Sequence, residues 1–170
     1  MILKTLRFGD IEVDQSKKIL FADGMPGFEQ LSMFFVLVLE ETSPIYWLQS
    51  MEDPSVTLPV LNPFEILGDQ YALEISDQEV EALKLDDEQD LLVVVVTVIP
   101  EEMTTMTANM AAPVLINVKR GIGKQVFIDN RNSPVRFPIY VPMMAFLKQQ
   151  IDKQNNEEGA SDAGTDAQGR

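Results

Sequence analysis

The stretch "LLVVVVTVI", residues 91–99, is the longest apolar run in the 170-residue chain. It is too short to cross a bilayer as a helix, which takes about 20 residues. Because the run is apolar at almost every position, a strand built from it would need cover on both faces. The stretch therefore predicts a central strand, Leu91–Ile99, packed on both sides.

Similar apolar runs, bounded by Gly and Pro, recur on both sides of this strand, which is typical of a β-rich protein. Pro59 lies inside one of them and lacks a ladder donor, so Val56–Leu61 is predicted to be an edge strand. The pattern predicts a mainly β fold: a small antiparallel β-barrel or sandwich-like domain with one or two short helices. The other predicted strands are Ile2–Phe8, Ile11–Asp14, Lys17–Ala22, Met33–Leu39, Tyr46–Met51, Tyr71–Ile75, Val114–Val118 and Gln125–Ile128.

Two segments have helical character. "SDQEVEALK" (76–84) opens with Ser76 and Glu79 in capping-box spacing. "VPMMAFLKQQID" (141–152) carries an apolar stripe, with Pro142 suited to a first helical turn. Residues 1–152 are therefore predicted to form one β-rich domain. The remainder, 153–170, lacks apolar periodicity and is predicted to be a mobile acidic C-terminal tail.

Composition restricts the function classes. The chain has no His and no Cys, which excludes His-based catalysis and thiolate chemistry. Any enzymatic activity would have to rest on carboxylates, Lys or Tyr, and no cofactor and no metal site are predicted. Lys4 and Arg7 interrupt what would be the apolar part of a signal peptide, so a cytoplasmic location without membrane association is predicted.

Charge is distributed unevenly. Residues 25–116 hold seventeen Asp and Glu against one basic residue, Lys84, which leaves about −16. Such a field repels phosphate backbones and attracts basic partners, so direct nucleic-acid binding is not expected. Two interpretations stay open: a solubilising acidic surface, and a docking face for a basic protein.

Several short patterns resemble known binding motifs but lack residues that those motifs require. "DDEQD" (86–90) lacks the Gly and Glu of a calcium loop and is interpreted as a solvated acidic loop. "RGIGK" (120–124) lacks the flanking residues of a phosphate-binding loop and is interpreted as a hairpin connection. In "GMPGFEQ" (24–30), Pro26 and Gly27 suit the central positions of a type II turn.

Three motifs follow in order: "GMPGFE" (24–29), "LQSMEDPSVTLPVLNP" (48–63) and "TANMAAPVLIN" (107–117). With "RGIGKQV" (120–126), they resemble the flagellar assembly factor FliW family from about Phe8 to Arg136. The resemblance implies a non-enzymatic protein with a small barrel-like fold. It also implies two partners: the RNA-binding translational regulator CsrA, whose repression of flagellin mRNA is relieved, and flagellin, which competes for the same factor.

An acidic face would be steered towards CsrA, which is basic, and would disfavour incoming RNA once bound. Two sets of residues are predicted to bind the partner. The first comprises polar residues beside the family motifs that we expect to be exposed: Gln49, Glu52, Asp53 and Asn109. The second comprises the acids of the first helix and the loop after it: Glu79, Glu81, Asp86, Asp87 and Glu88.

Two other functions stay open at this point. A cytosolic chaperone that binds flagellin without antagonising CsrA would share the acidic character. A carbohydrate-active enzyme would need two carboxylates converging in a cleft, with few aromatic residues to support a sugar.

Overall fold

The computed structural model of the chain describes residues 1–129 and 131–168, which form a mainly β fold with few helices. The predicted fold class is confirmed. The described strands are β1 Ile2–Thr5, β2 Gly9–Glu12, β3 Ile19–Leu20, β4 Met33–Val38, β5 Tyr46–Ser50, β6 Thr57–Leu61, β7 Leu91–Val98, β8 Thr107–Ala108, β9 Val114–Asn117, β10 Ile122–Gln125 and β11 Phe137–Pro138. The described α-helices are α1 Pro63–Leu67, α2 Asp77–Ala82 and α3 Tyr140–Gln168.

Seven of these strands close into a barrel. The order around it is β7, β6, β5, β4, β3, β10 and β9, and β9 pairs with β7 to complete the ring. Neighbours are antiparallel except β3 and β10, which are parallel and share one register pair, Leu20 with Ile122. β8 and β11 extend the sheet outward from β7, and β1 and β2 form a separate hairpin. Barrel closure therefore depends on a very short contact between β3 and β10.

Strand β7 is the central strand that the apolar run predicts. Its first half pairs with β9, its middle with β6 and its end with β8. Val93, Val94 and Val95 are all buried. Because this strand has neighbours along its whole length and its middle is covered on both faces, apolar residues on either face stabilise it, and only its last residue, Val98, is exposed.

Successive residues of the barrel strands point alternately into two buried clusters. Phe34 of β4 and Leu48 of β5 belong to one cluster, whereas Phe35 and Trp47 belong to the other. The second cluster also receives Met143 from α3. Both faces of the sheet are thus covered, which accounts for the lack of polar alternation in the sequence.

The two predicted turns are confirmed. In "GMPGFEQ" the Phe28 N–H donates to the Met25 carbonyl at 2.7 Å, and Gly27 has φ 89°. Met25 is the deeply buried residue of this turn, while Phe28 is half-buried against the same cluster. "RGIGK" lies at the hairpin between β9 and β10, with Gly121 at φ 65°.

Three strand predictions were wrong. Val56–Leu61 is not an edge strand, because β6 pairs with both β5 and β7; Pro59 is tolerated since the pairing with β7 begins at Val60. The segment Tyr71–Ile75 forms no strand and crosses outside the barrel towards α2. The last strand of the hairpin is Ile122–Gln125, a shift towards the turn relative to the predicted Gln125–Ile128.

Helix α3 is longer than the predicted 141–152. It begins at Tyr140, buries Met143 and extends to Gln168. Residues from Met143 onward include no Pro and several Ala, Glu and Gln, which favour continuation of a helix. Residues 148–160 are exposed. The mobility predicted for 153–170 stays a prediction.

Candidate protein-binding surface

Gln49 is buried and does not lie on the surface, contrary to the prediction. Its side chain is fully inaccessible, at 0% exposure. The Thr57 hydroxyl donates to Gln49 Oε1, and Gln49 Nε2 donates to the Ser50 carbonyl at 3.0 Å. Because buried amides need these partners, Gln49 stabilises the β5–β6 connection and cannot contact a partner protein directly.

Glu52 and Asp53 form the turn after β5. The Ser32 and Met33 amides donate to the Glu52 carboxylate at 2.6 and 2.9 Å. Asp53 accepts from the Ser55 amide and hydroxyl at 2.9 and 2.6 Å. Glu52 is exposed and Asp53 half-buried, so both can still face a partner, but their first role is to fix this turn.

These hydrogen bonds shift the titration of both acids. Donation from the Met33 and Ser32 amides lowers the pKa of Glu52 below its ordinary 4.5, since the bonds favour the charged form. Donation from Ser55 lowers the pKa of Asp53 in the same way. Both carboxylates are therefore charged at neutral pH.

A pH-dependent contribution to stability follows for Glu52. A carboxyl group with a lowered folded pKa stabilises the fold above its unfolded pKa, and this contribution is lost as the pH falls through the folded value. We expect Glu52→Gln to lower the free energy of unfolding at pH 7, and the difference from the unsubstituted protein to shrink below about pH 4.5. Urea unfolding at pH 7 and below about pH 4.5 measures the difference in the free energy of unfolding.

The control for that experiment is Glu81→Gln. Glu81 is exposed, and its carboxylate makes no hydrogen bond or ion pair within the described part of the chain. This variant should match the unsubstituted protein at both pH values. If Glu52→Gln lowered the free energy of unfolding equally at pH 7 and in acid, the stabilisation would not come from the charged Glu52 carboxylate.

Asn109 lies apart from the other three residues, just after β8. It is half-buried, and its amide N–H donates to the Val96 carbonyl at 2.9 Å. Its Oδ1 is buried and has no hydrogen-bond partner among the described residues. The structure therefore does not bring the first predicted set together as one exposed patch.

The second predicted set lies on one segment, residues 71–90, which we call the strap. It contains α2 and crosses beside the β9–β10 hairpin. Ser76 caps α2 by accepting from the Glu79 amide at 3.3 Å. The Glu79 carboxylate instead pairs with Lys124 of β10 at 2.8 Å, so only half of the predicted capping box forms.

Two further ion pairs connect the strap to the hairpin. Arg120 donates to Asp86 at 2.7 Å, and Lys119 lies 3.6 Å from Asp90. The bond and charge of Arg120 lower the pKa of Asp86. These basic residues, which reverse the sign of the charge along the sequence, thus neutralise part of the strap.

Glu81, Asp87 and Glu88 keep their charges exposed. Among the described residues none of the three has an ion-pair partner within 4.0 Å. The Asp87 carboxylate accepts only from the Gln89 amide, at 2.9 Å. Of the five acids predicted on this segment, these three stay unpaired, and with the exposed Glu74 and Asp77 they form the free acidic surface of the strap.

Asn117 is a residue that the sequence did not single out. It is buried, and its Nδ2 donates to the Leu83 and Lys84 carbonyls at 3.0 and 3.1 Å. Its Oδ1 accepts from the Lys119 and Arg120 amides at 3.1 Å each. One side chain thus joins the strap to the hairpin turn. The only feature of the sequence that could have indicated this role is a single Asn at the end of an apolar strand.

The described residues contain no group of three or more acidic side chains placed to hold a metal ion. No described helix combines the length and the apolar character that a membrane span requires.

Comparison with known proteins gives a consistent result. The FliW protein family profile matches residues 2–139. The flagellar assembly factor FliW of Caldicellulosiruptor bescii is 38% identical over 139 residues, covering 82% of this chain and 90% of that protein. The FliW of Alkaliphilus metalliredigens is 36% identical over 163 residues, covering 95% and 100%. A crystal structure of the flagellar assembly factor FliW superimposes with a TM-score of 0.75 at 31% identity, covering 82% of this chain and 97% of that one.

Proposed function

The chain belongs to the FliW family of flagellar assembly factors, and from this we propose that it binds the translational regulator CsrA and relieves repression of flagellin mRNA. Flagellin would compete for the factor and so couple its own level to its translation. The role is one of protein binding, not catalysis.

The observation that carries the proposal is the free acidic surface of the strap. The segment 25–116 has about −16 of net charge, and in the described part of the chain the hairpin pairs with three of its acids, Glu79, Asp86 and Asp90. The unpaired acids on the strap therefore attract a basic protein, and their field steers its association. Bound to CsrA, the same field raises the free energy of approaching RNA.

A salt series tests this electrostatic part. We expect a saturating amount of the protein to weaken the affinity of CsrA for flagellin leader RNA, and the fold-weakening to decrease from about 50 to about 200 mM salt, because screening shortens the reach of the acidic field. Fluorescence anisotropy with labelled RNA gives both affinities at each salt concentration. An inhibition factor that does not change with salt would contradict an electrostatic contribution.

The matched variant removes three of the free acids of the strap: Glu81→Gln, Asp87→Asn and Glu88→Gln together. Asn at position 87 keeps an acceptor for the Gln89 amide. At low salt this variant should inhibit RNA binding to CsrA less than the unsubstituted protein does. At high salt the two proteins should inhibit it to a similar extent. Recovery of flagellin but not CsrA from a pull-down would favour the chaperone function instead.

A further inference from the structure

One edge of strand β10 pairs with β3 only at Ile122, and the rest of that edge has no neighbouring strand among the described residues. On its other edge, the Val126 and Ile128 amides donate to the Pro113 and Ala111 carbonyls, continuing the ladder beside β9. Backbone groups alternate in direction along a strand, so those of Gln125 and Phe127 point away from β9. The register with β3 contains only Leu20 and Ile122. No other described strand pairs with this edge beyond Gly123.

The space beside this edge is open because the chain leaves β3 immediately. After Leu20 it turns, with the Gly24 amide donating to the Phe21 carbonyl at 2.9 Å. A cavity of about 250 Å³ lies between this turn, β10 and the strap. Its lining includes Gly24 and Pro26 on one side, Gly123 and Gln125 on the other, and Leu83 from the strap.

A second cavity, of about 460 Å³, lies between the start of the strap and the residues that follow β10. It is lined by Ala72, Glu74, Phe127, Ile128 and Asp129. Phe127 is 81% exposed, and an exposed aromatic beside a concave surface is typical of a binding anchor. The free backbone edge therefore runs from one cavity to the next.

Charges around the two cavities are acidic. Asp23 and Glu29 line the first cavity, and Glu74 and Asp129 line the second. The one basic residue in either lining, Lys124, is paired with Glu79. A basic occupant is therefore complementary to this edge.

We propose that the edge Gly123–Phe127 receives an extended segment of a basic protein partner by strand addition. The added strand pairs with the free backbone groups of Gln125 and Phe127, and its alternate side chains enter the two cavities. Five residues of edge span about 17 Å. The identity of the partner rests on the proposed function, so CsrA is the probe for the test.

The first test is Gln125→Pro, which removes the free N–H and places a ring on the edge while leaving the ladder to β9 intact. We expect its affinity for CsrA to fall by about tenfold or more, as loss of a strand hydrogen bond and a steric block both oppose addition. Gln125→Ala keeps the N–H and should remain within about threefold of the unsubstituted protein. Isothermal titration calorimetry measures all three affinities, and circular dichroism checks the fold.

Amide hydrogen exchange on the unsubstituted protein tests the same point without a substitution. The Gln125 and Phe127 amides should exchange rapidly in the free protein and become protected in the saturated CsrA complex, whereas Val126 and Ile128 are protected in both states. A CsrA complex that leaves Gln125 and Phe127 unprotected overturns the strand-addition proposal alone. Protection by flagellin and not by CsrA also overturns it. Absence of any CsrA complex contradicts the proposed function as well.

Discussion

Asn117→Ala is expected to lower the free energy of unfolding by about 3 kcal/mol, since buried donors and acceptors lose their partners. The alanine leaves the buried Leu83 carbonyl without its 3.0 Å donor and removes the acceptor shared by the Lys119 and Arg120 amides. Water can reach the two exposed residues of the turn but not Leu83, which is fully buried. Urea unfolding followed by circular dichroism measures the change.

Lys119→Ala is the matched control for this experiment. It lies two residues away on the same turn and loses only an exposed ion pair to Asp90, which is worth about 0.5 kcal/mol or less. If Asn117→Ala cost no more than this control, the four hydrogen bonds of Asn117 would not hold the strap to the hairpin.

Gly24→Ala is the second substitution with a large expected effect, a loss of about 2–4 kcal/mol. A Cβ at this position would lie 2.6 Å from the Glu29 carbonyl oxygen and 2.7 Å from its Cα, and Gly24 has φ 68°. Both the clash with backbone and the left-handed conformation oppose any side chain. Thermal unfolding gives the change in stability.

Gly27→Ala serves as the comparison within the same turn. Gly27 has φ 89°, but no atom lies within 4 Å of the Cβ position. Its substitution should therefore cost only the conformational term, about 1 kcal/mol. Equal losses for the two variants would show that the close contact between residues 24 and 29 is not what requires glycine.

The fold could be predicted where the signal is local. The run at 91–99 predicts a central strand because burial on both faces leaves no polar alternation, and β7 confirms it. Gly and Pro predict the turns at 24–30 and 120–124 because positive φ restricts the residue choice. The strand predicted at Tyr71–Ile75 was wrong because the apolar residues of this segment cover a barrel cluster from outside, without backbone pairing to a strand.

The candidate surface was less predictable because its decisive contacts are distant in sequence. Asp86 and Arg120 are 34 residues apart, so the sequence could not show that the strap acids are partly neutralised. Gln49 was predicted to be exposed although strand alternation places it on the same face as Trp47, a buried position. The burial of Gln49 could therefore have been predicted from the sequence alone. The open edge of β10 depends on how short β3 is, which only the register reveals.

The most direct test of the central claim is to mix the purified protein with CsrA and labelled flagellin leader RNA. Light scattering after size exclusion gives the mass of the complex, and fluorescence anisotropy of the same mixture gives the RNA that stays bound. We predict a stable protein–CsrA complex whose formation is accompanied by loss of bound RNA. Separate CsrA and protein peaks with RNA binding unchanged would contradict the account.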